Sequence, residues 1–350
     1  MTKQYSRFSV FGLGPIGIEI LRSAYQTNPH SIIGVVDIDP EKIGNDIGLL
    51  INEKQTGLNV VSSIQEVETN ADHPVALHAT GSNAQQVWAQ IKEILDHGFS
   101  VVSTCEQLSF PWDRYPELAK EIDDYAKAKG LSVIGTGINP GFIMDTMAIC
   151  FSTVLTTVNK IIVNRRVDVS KRRIPLQKKV GIGMTKEVFE TLAEQNKIGH
   201  VGLEESVRLI AYGLNWKLSS LKNTIEPTIA GENITVPLTS LKPGDVNGLH
   251  QVSKGMTSNG KEICLDLTMS VGINQEDEII IEGNETQRLI VPNGIFGDTA
   301  TAAMVINTAK QIDAIRKPGL LTMADIGVPR NIYQSEYINA ETASLGRSVT

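Results

Sequence analysis

Phe8-Ser9-Val10-Phe11-Gly12-Leu13-Gly14-Pro15-Ile16-Gly17 decides the reading of the first half of the chain. An apolar run ends in Gly12, and the glycines fit G-x-G-x-x-G. From Ile16 to Tyr25 apolar residues recur at helical spacing, and a second apolar run follows at Ile32 to Val36. Strand, glycine turn, helix and strand is the setting that gives this motif meaning. Gly12 permits the tight turn, Gly14 lets backbone approach a pyrophosphate, and Gly17 allows the helix to pack closely; Leu13, Pro15 and Ile16 complete a loop that ends at the anion-attracting start of a helix. Asp37 lies 20 residues beyond Gly17. A carboxylate there accepts hydrogen bonds from a ribose 2′-hydroxyl and repels a 2′-phosphate. Ile38-Asp39-Pro40 brings no cation to offset it, so NAD is the expected cofactor and Asp37 disfavours NADP.

The rhythm continues outward. Pro74 to His78, Ser100 to Thr104 and Leu131 to Ile134 read as strands, with helices at Ala84 to Leu95 and Tyr115 to Lys129. Alternating strands and helices imply a parallel sheet covered on both faces, a Rossmann-type α/β domain over residues 1–138. The rhythm breaks at Gly135-Thr136-Gly137-Ile138-Asn139-Pro140-Gly141, a turn expected to lead into an apolar helix from near Phe142. Beyond it lie a helix at Leu203 to Leu214 and longer strands at Lys160 to Val169, Asn223 to Ala230, Val246 to Val252, Glu262 to Val271 and Glu278 to Ile281. This predicts an α+β domain with a mostly antiparallel sheet over 139–300. A helix from Asp298 to about Arg316 then packs back on the first domain, and the stretch 301–350 ends in a polar tail from about Pro329.

Composition narrows the function. A chain of 350 residues suits about two domains. A formal charge of −7 argues against nucleic acid or an anionic membrane surface as partner. Cys105, Cys150 and Cys264 are too few and too widely spaced for a disulfide framework or a cysteine zinc site, which fits a reducing cytoplasm. The apolar start is cut by Gly12, Gly14 and Pro15, and the window Phe142 to Val163 is broken by Asp145, Asn159 and Lys160, so neither a signal peptide nor a membrane span is expected. The six histidines show no ligand spacing, and no catalytic metal is expected.

Ligands of an open parallel sheet bind outside the carboxyl ends of its strands. The third strand ends in Ala79-Thr80-Gly81-Ser82-Asn83, small and polar enough to pass a cofactor sugar. The fourth ends in Ser103-Thr104-Cys105-Glu106, which sets Thr104 and Glu106 near the nicotinamide position. A carboxylate beside an apolar ring is suited to proton transfer. Cys105 reads as a buried structural thiol, since no local histidine would activate it.

These stretches, together with Arg172-Arg173-Ile174-Pro175-Leu176-Gln177-Lys178-Lys179 and Gly297-Asp298-Thr299-Ala300-Thr301-Ala302-Ala303, resemble the 2,4-diaminopentanoate dehydrogenase family and its relatives, the native NAD(P)H-dependent amine dehydrogenases. The resemblance implies oxidative deamination of a small amine to a ketone and ammonia, or the reverse, in a homodimer. It makes Glu106 the acid-base residue and places Asn139 and Pro140 against the nicotinamide end. The fold also resembles dihydrodipicolinate reductase, but that enzyme's His-His and Lys signature is missing from Val167-Asp168-Val169-Ser170-Lys171-Arg172-Arg173. An imine reductase is the rival enzyme reading, and a non-catalytic NAD(H) sensor or scaffold the rival of another class. For substrate, strand periodicity sets Asn164 and Arg166 on one face, where with His250 they would grip a carboxylate; Phe142 would wall the pocket. Arg172, Arg173, Lys178 and Lys179 read as a solvated or subunit-contact cluster, and Asp298 as the cap of the last helix.

Overall fold

Strands with no polar face need cover on both sides, and the first part of the chain supplies it. In the computed structural model, which describes residues 6–68 and 70–327, the elements run β1 (Phe8–Phe11), α1 (Pro15–Thr27), β2 (Ile32–Val36), the short α2 (Ile47–Leu50), β3 (Val75–His78), α3 (Ala84–Asp96), β4 (Ser100–Ser103), α4 (Pro116–Lys129) and β5 (Ser132–Gly135). β1, β3 and β5 are buried throughout. Local chemistry sets the helix ends. Pro15 opens α1 with its fixed φ, Asn83 accepts the Gln86 N–H ahead of α3, and Gly130 closes α4 in the left-handed region.

The chain continues through α5 (Thr146–Ser152), β6 (Val158–Asp168), α6 (Ile174–Lys179), α7 (Lys186–Glu194), α8 (Leu203–Gly213), β7 (Leu218–Ile229), the small hairpin of β8 (Ile234–Thr235) and β9 (Ser240–Leu241), β10 (Val246–Thr257), β11 (Glu262–Ser270), β12 (Glu276–Gly283), β13 (Thr286–Pro292), α9 (Gly297–Ile315) and β14 (Gly319–Leu321). The first sheet has the order β14-β5-β4-β3-β1-β2 and is parallel throughout. The second has the order β13-β12-β6-β11-β10-β7 and is antiparallel except between β6 and β11. The chain is therefore α/β, a Rossmann-type sheet followed by a mostly antiparallel one. α9 returns to lie against α1, β3 and β4, and β14 adds a sixth parallel strand beside β5.

Several boundaries differ from the expectation. The helix placed near Phe142 begins at Thr146, because Gly141 takes φ 126° and the buried Asp145 carboxylate folds residues 141–145 into a turn. Asp145 accepts the N–H groups of Gly141 and Thr146 and the Ser206 hydroxyl, at 2.8, 2.5 and 2.6 Å. α2, α6, α7, β8, β9, β13 and β14 lie outside the expected elements. The tail from about Pro329 lies outside the described residues. Among the described residues no helix is long and apolar enough to cross a membrane.

Candidate active site

A cleft of about 400 Å³ runs along the carboxyl ends of β1, β3 and β4 and reaches the inner face of the second sheet. At one end the glycine loop does three separate jobs. Gly12 sits at φ +92°, where a Cβ would stand 2.8 Å from the Ala79 carbonyl. Gly17 lies so close to the strand that a Cβ would be 1.8 Å from the Gly12 oxygen. Gly14 has nothing within 4 Å of its Cβ position and lines the cleft with Pro15 and Ile16, leaving backbone open to a ligand. Ala79, Thr80 and Thr104 line the same cleft.

Asp37, just past β2, is nearly buried, with its Oδ2 accepting the Leu13 N–H at 2.5 Å and its Oδ1 the Asp39 N–H at 2.8 Å. It braces the loop as well as ending the strand. The expectation that no cation stands near it needs correcting: Lys42 comes round to put Nζ 3.6 Å from Asp37 and 3.1 Å from Asp39.

Glu106 opens a one-turn 3-10 helix after β4. Its Oε1 lies 3.2 Å from Lys179 Nζ, at the end of α6. Gly202 packs against Pro140 and the Glu106 Cβ. The Asn139–Pro140 peptide is cis, and both residues line the cleft. Both polar atoms of the Asn139 side chain are buried and make no hydrogen bond among the described residues. The Cys105 thiol is pushed up to about 12, by burial first and by Glu106 next, so it is no nucleophile.

The second sheet shows the cleft its other face. His250, Thr268, Arg166 and Glu276 share one row across β10, β11, β6 and β12, and Gln251, Leu267, Arg165 and Asp277 share the next. Successive rows point to opposite faces, and it is Arg165, Val167, Leu267 and Met269 that line the cleft. Asn164, Arg166 and His250 lie on the far face: Asn164 donates to Glu278 at 2.7 Å, Arg166 is exposed, and His250 Nε2 is 2.9 Å from Asp266. The expected carboxylate grip is therefore not assembled within this chain. Phe142, half-buried, packs against the core under the second sheet and is not among the residues that line the cleft.

Residues read as peripheral take that place. Arg172 is 7% exposed, and both it and Arg173 reach Asp298, at 3.2 and 3.5 Å. All three line the cleft, as does Lys179, so this part of the basic cluster is not a solvated loop. Asp298 is not the cap of α9, whose N-cap is Phe296; it stands in the first turn. His200 also lines the cleft, and its buried Nδ1 has no hydrogen-bond partner among the described residues. Burial, then Lys179 and Arg165, pull its imidazole down to about 3, so it is neutral near pH 7.

With this geometry established, comparisons with known proteins place the chain. A family model described as the 2,4-diaminopentanoate dehydrogenase C-terminal domain matches residues 142–341. A 2,4-diaminopentanoate dehydrogenase of Acetoanaerobium sticklandii is 34% identical over 280 residues, 78% of this chain and 79% of that protein. The solved amine dehydrogenase of Mycobacterium smegmatis superposes with a TM-score of 0.83 at 22% identity, covering 95% of this chain and 99% of the other. An oxidoreductase of Agrobacterium radiobacter, solved with NAD+, L-tartaric acid and magnesium, has the same fold at a TM-score of 0.57 and 11% identity over 92% of each chain. The chain belongs to the 2,4-diaminopentanoate dehydrogenase family.

Proposed function

We propose that this protein is an NAD-dependent amine dehydrogenase that converts 2,4-diaminopentanoate, or a related small amine, to a ketone and ammonia, and runs the reverse reductive amination. The observation that carries the reading is Glu106, just past the end of a parallel strand and held by Lys179 in the same cleft that Asn139 and the glycine loop line.

The site's own features fit a dinucleotide. The open face at Gly14 and the start of α1 would take the pyrophosphate, Ala79, Thr80 and Thr104 would flank the nicotinamide ribose, and the unpaired amide of Asn139 offers a donor and an acceptor to a carboxamide. NAD, when bound, supplies the hydride acceptor. Glu106 takes a proton from the substrate ammonium, so that the free amine can lose hydride from its carbon; once that proton has passed to solvent, the carboxylate assists water onto the iminium carbon, and ammonia leaves as the ketone forms. Lys179 holds the Glu106 carboxylate where both steps need it. Pro140 and Gly202, packed together, back the Glu106 side chain. Asp37 supports a preference for NAD over NADP, and a homodimer belongs to the same reading.

The test is NADH formation from NAD and 2,4-diaminopentanoate, with ammonia assayed in parallel and a panel of small aliphatic amines alongside. Glu106→Gln is expected to lose about 100- to 10,000-fold in rate while still binding NADH. No turnover of any amine by wild-type protein that binds NADH would shift the weight to an imine reductase or a sensor. Light scattering tests the dimer.

A further inference from the structure

Arg172 is a charge without enough partners. A guanidinium keeps its charge and carries five N–H donors, yet this one is 7% exposed and its Nε and Nη1 are buried with no hydrogen bond among the described residues. Nη2 reaches Asp298, and the face of the group lies 4.1 Å from the centre of the Phe296 ring. Asp298 is also shared with Arg173, so the cluster carries a surplus positive charge. The other paired ions of the cleft cancel: Glu106 answers Lys179, and Asp277 answers Arg165. Burial foremost, then Arg165 and Arg173, work against the Arg172 charge, and Asp298 favours it. Unpaired buried donors on a charged group are costly, and the arrangement calls for an anion.

The position says which anion. The pyrophosphate place is at the glycine loop, on the start of α1. Arg172 instead abuts Gly297 at the start of α9, whose first N–H groups also favour negative charge. The same Gly297 position neighbours Ile138, which directly precedes the Asn139-Pro140 pair that packs through Gly202 against Glu106. The charge surplus therefore sits toward the reacting end of the cleft.

We propose that Arg172 is the carboxylate anchor of the substrate subsite, taking the acid group of an amino acid whose amine faces Glu106. This rests on the amine dehydrogenase reading, and it selects amines that carry a carboxylate over plain alkylamines. Arg173 positions Asp298, which in turn fixes one edge of the guanidinium.

A binding experiment separates this from the catalytic reading. The probes are 4-aminopentanoate and 2-aminopentane, which share an amine and differ in the acid group, titrated calorimetrically into full-length protein loaded with NADH. Wild type is expected to bind the acid more tightly, by about 10-fold or more, as a charge-assisted hydrogen bond implies. Arg172→Met is expected to erase that difference, leaving NADH affinity unchanged, and Arg172→Lys, which keeps the charge and guards against loss of fold, to retain part of it. Equal binding of the two probes by wild type, equal weakening of both by Arg172→Met, or a matching loss of NADH affinity would overturn the proposal. Because no turnover is read, silence in the NADH-formation assay would count against the proposed reaction alone.

Discussion

Lys179 Nζ stands 3.2 Å from Glu106 Oε1, tying the end of α6 to the turn after β4. The glutamate side chain is 19% exposed, so the contact is neither fully screened nor fully desolvated. Its value is orientation more than stability. Lys179→Met is expected to lower kcat/KM for amine oxidation by about 10- to 100-fold, the scale of a misaligned catalytic group. NADH affinity should hold, and Lys179→Arg should recover part of the rate. Full activity in the methionine variant would remove Lys179 from the mechanism.

The glycine loop separates folding from binding. Gly17→Ala drives a Cβ into the Gly12 carbonyl and is expected to cost about 3 kcal/mol of stability. Gly14→Ala meets nothing and already has an ordinary extended backbone, φ −64° and ψ 179°. Its melting temperature should stay within about 2 °C of wild type, while NAD affinity falls because the methyl stands where the ligand would. A Gly14→Ala protein that binds NAD normally would place the pyrophosphate elsewhere.

Asp37 and Lys42 together govern the ribose end. Asparagine at 37 removes the charge that repels a 2′-phosphate and frees Lys42, now 3.6 Å away, to meet one. Asp37→Asn is expected to narrow the ratio of kcat/KM for NAD over NADP by roughly 10-fold or more, the worth of a hydrogen bond to a charged group. Comparable use of both cofactors by wild type would show that Lys42 already offsets Asp37.

Much of this architecture could be read in advance because the parallel strands are apolar on both faces and the helices between them carry clear caps. β14 escaped because its three residues follow a proline and look like the end of a helix. The site was half legible. Glu106 and the glycine loop are local, each at the end of its own strand. The expected grip turns the Asn164 and Arg166 face of the strand to the cleft in place of the face that carries Arg165, because a buried arginine is sensible only with Asp277, 112 residues away; the flanking Val163 and Val167 are the signal that the Arg165 face is inward. Arg172 needs Asp298, 126 residues on, for the same reason.

The Arg165 and Asp277 pair gives a stability prediction. Asp277 is 1% exposed, accepts from Arg165 at 2.6 Å and also holds the Ile295 N–H at 2.8 Å. Asp277→Ala would leave a buried guanidinium without its counterion, and a loss of about 3–5 kcal/mol is expected in urea unfolding. A loss under 1 kcal/mol would mean that water reaches Arg165 and replaces the carboxylate.

His78, wholly buried at the end of β3, makes folding sensitive to acid. Its Nδ1 lies 2.8 Å from the Ser103 hydroxyl and its Nε2 2.9 Å from that of Thr80. Burial lowers the imidazole from 6.5 to about 4. The unfolded chain therefore takes up the proton first as pH falls. The contribution is complete above pH 6.5 and is lost progressively down to pH 4. By pH 5 the loss amounts to about 2 kcal/mol. Asp145 and Glu205, whose buried carboxyls are raised, shift stability the opposite way, so the measurement is a difference. Urea unfolding of wild type and His78→Gln is compared at pH 7.5 and 5, and the wild-type advantage should shrink by that amount. An advantage independent of pH would mean that His78 is protonated inside the folded protein, with the Thr80 and Ser103 hydroxyls accepting from a cation.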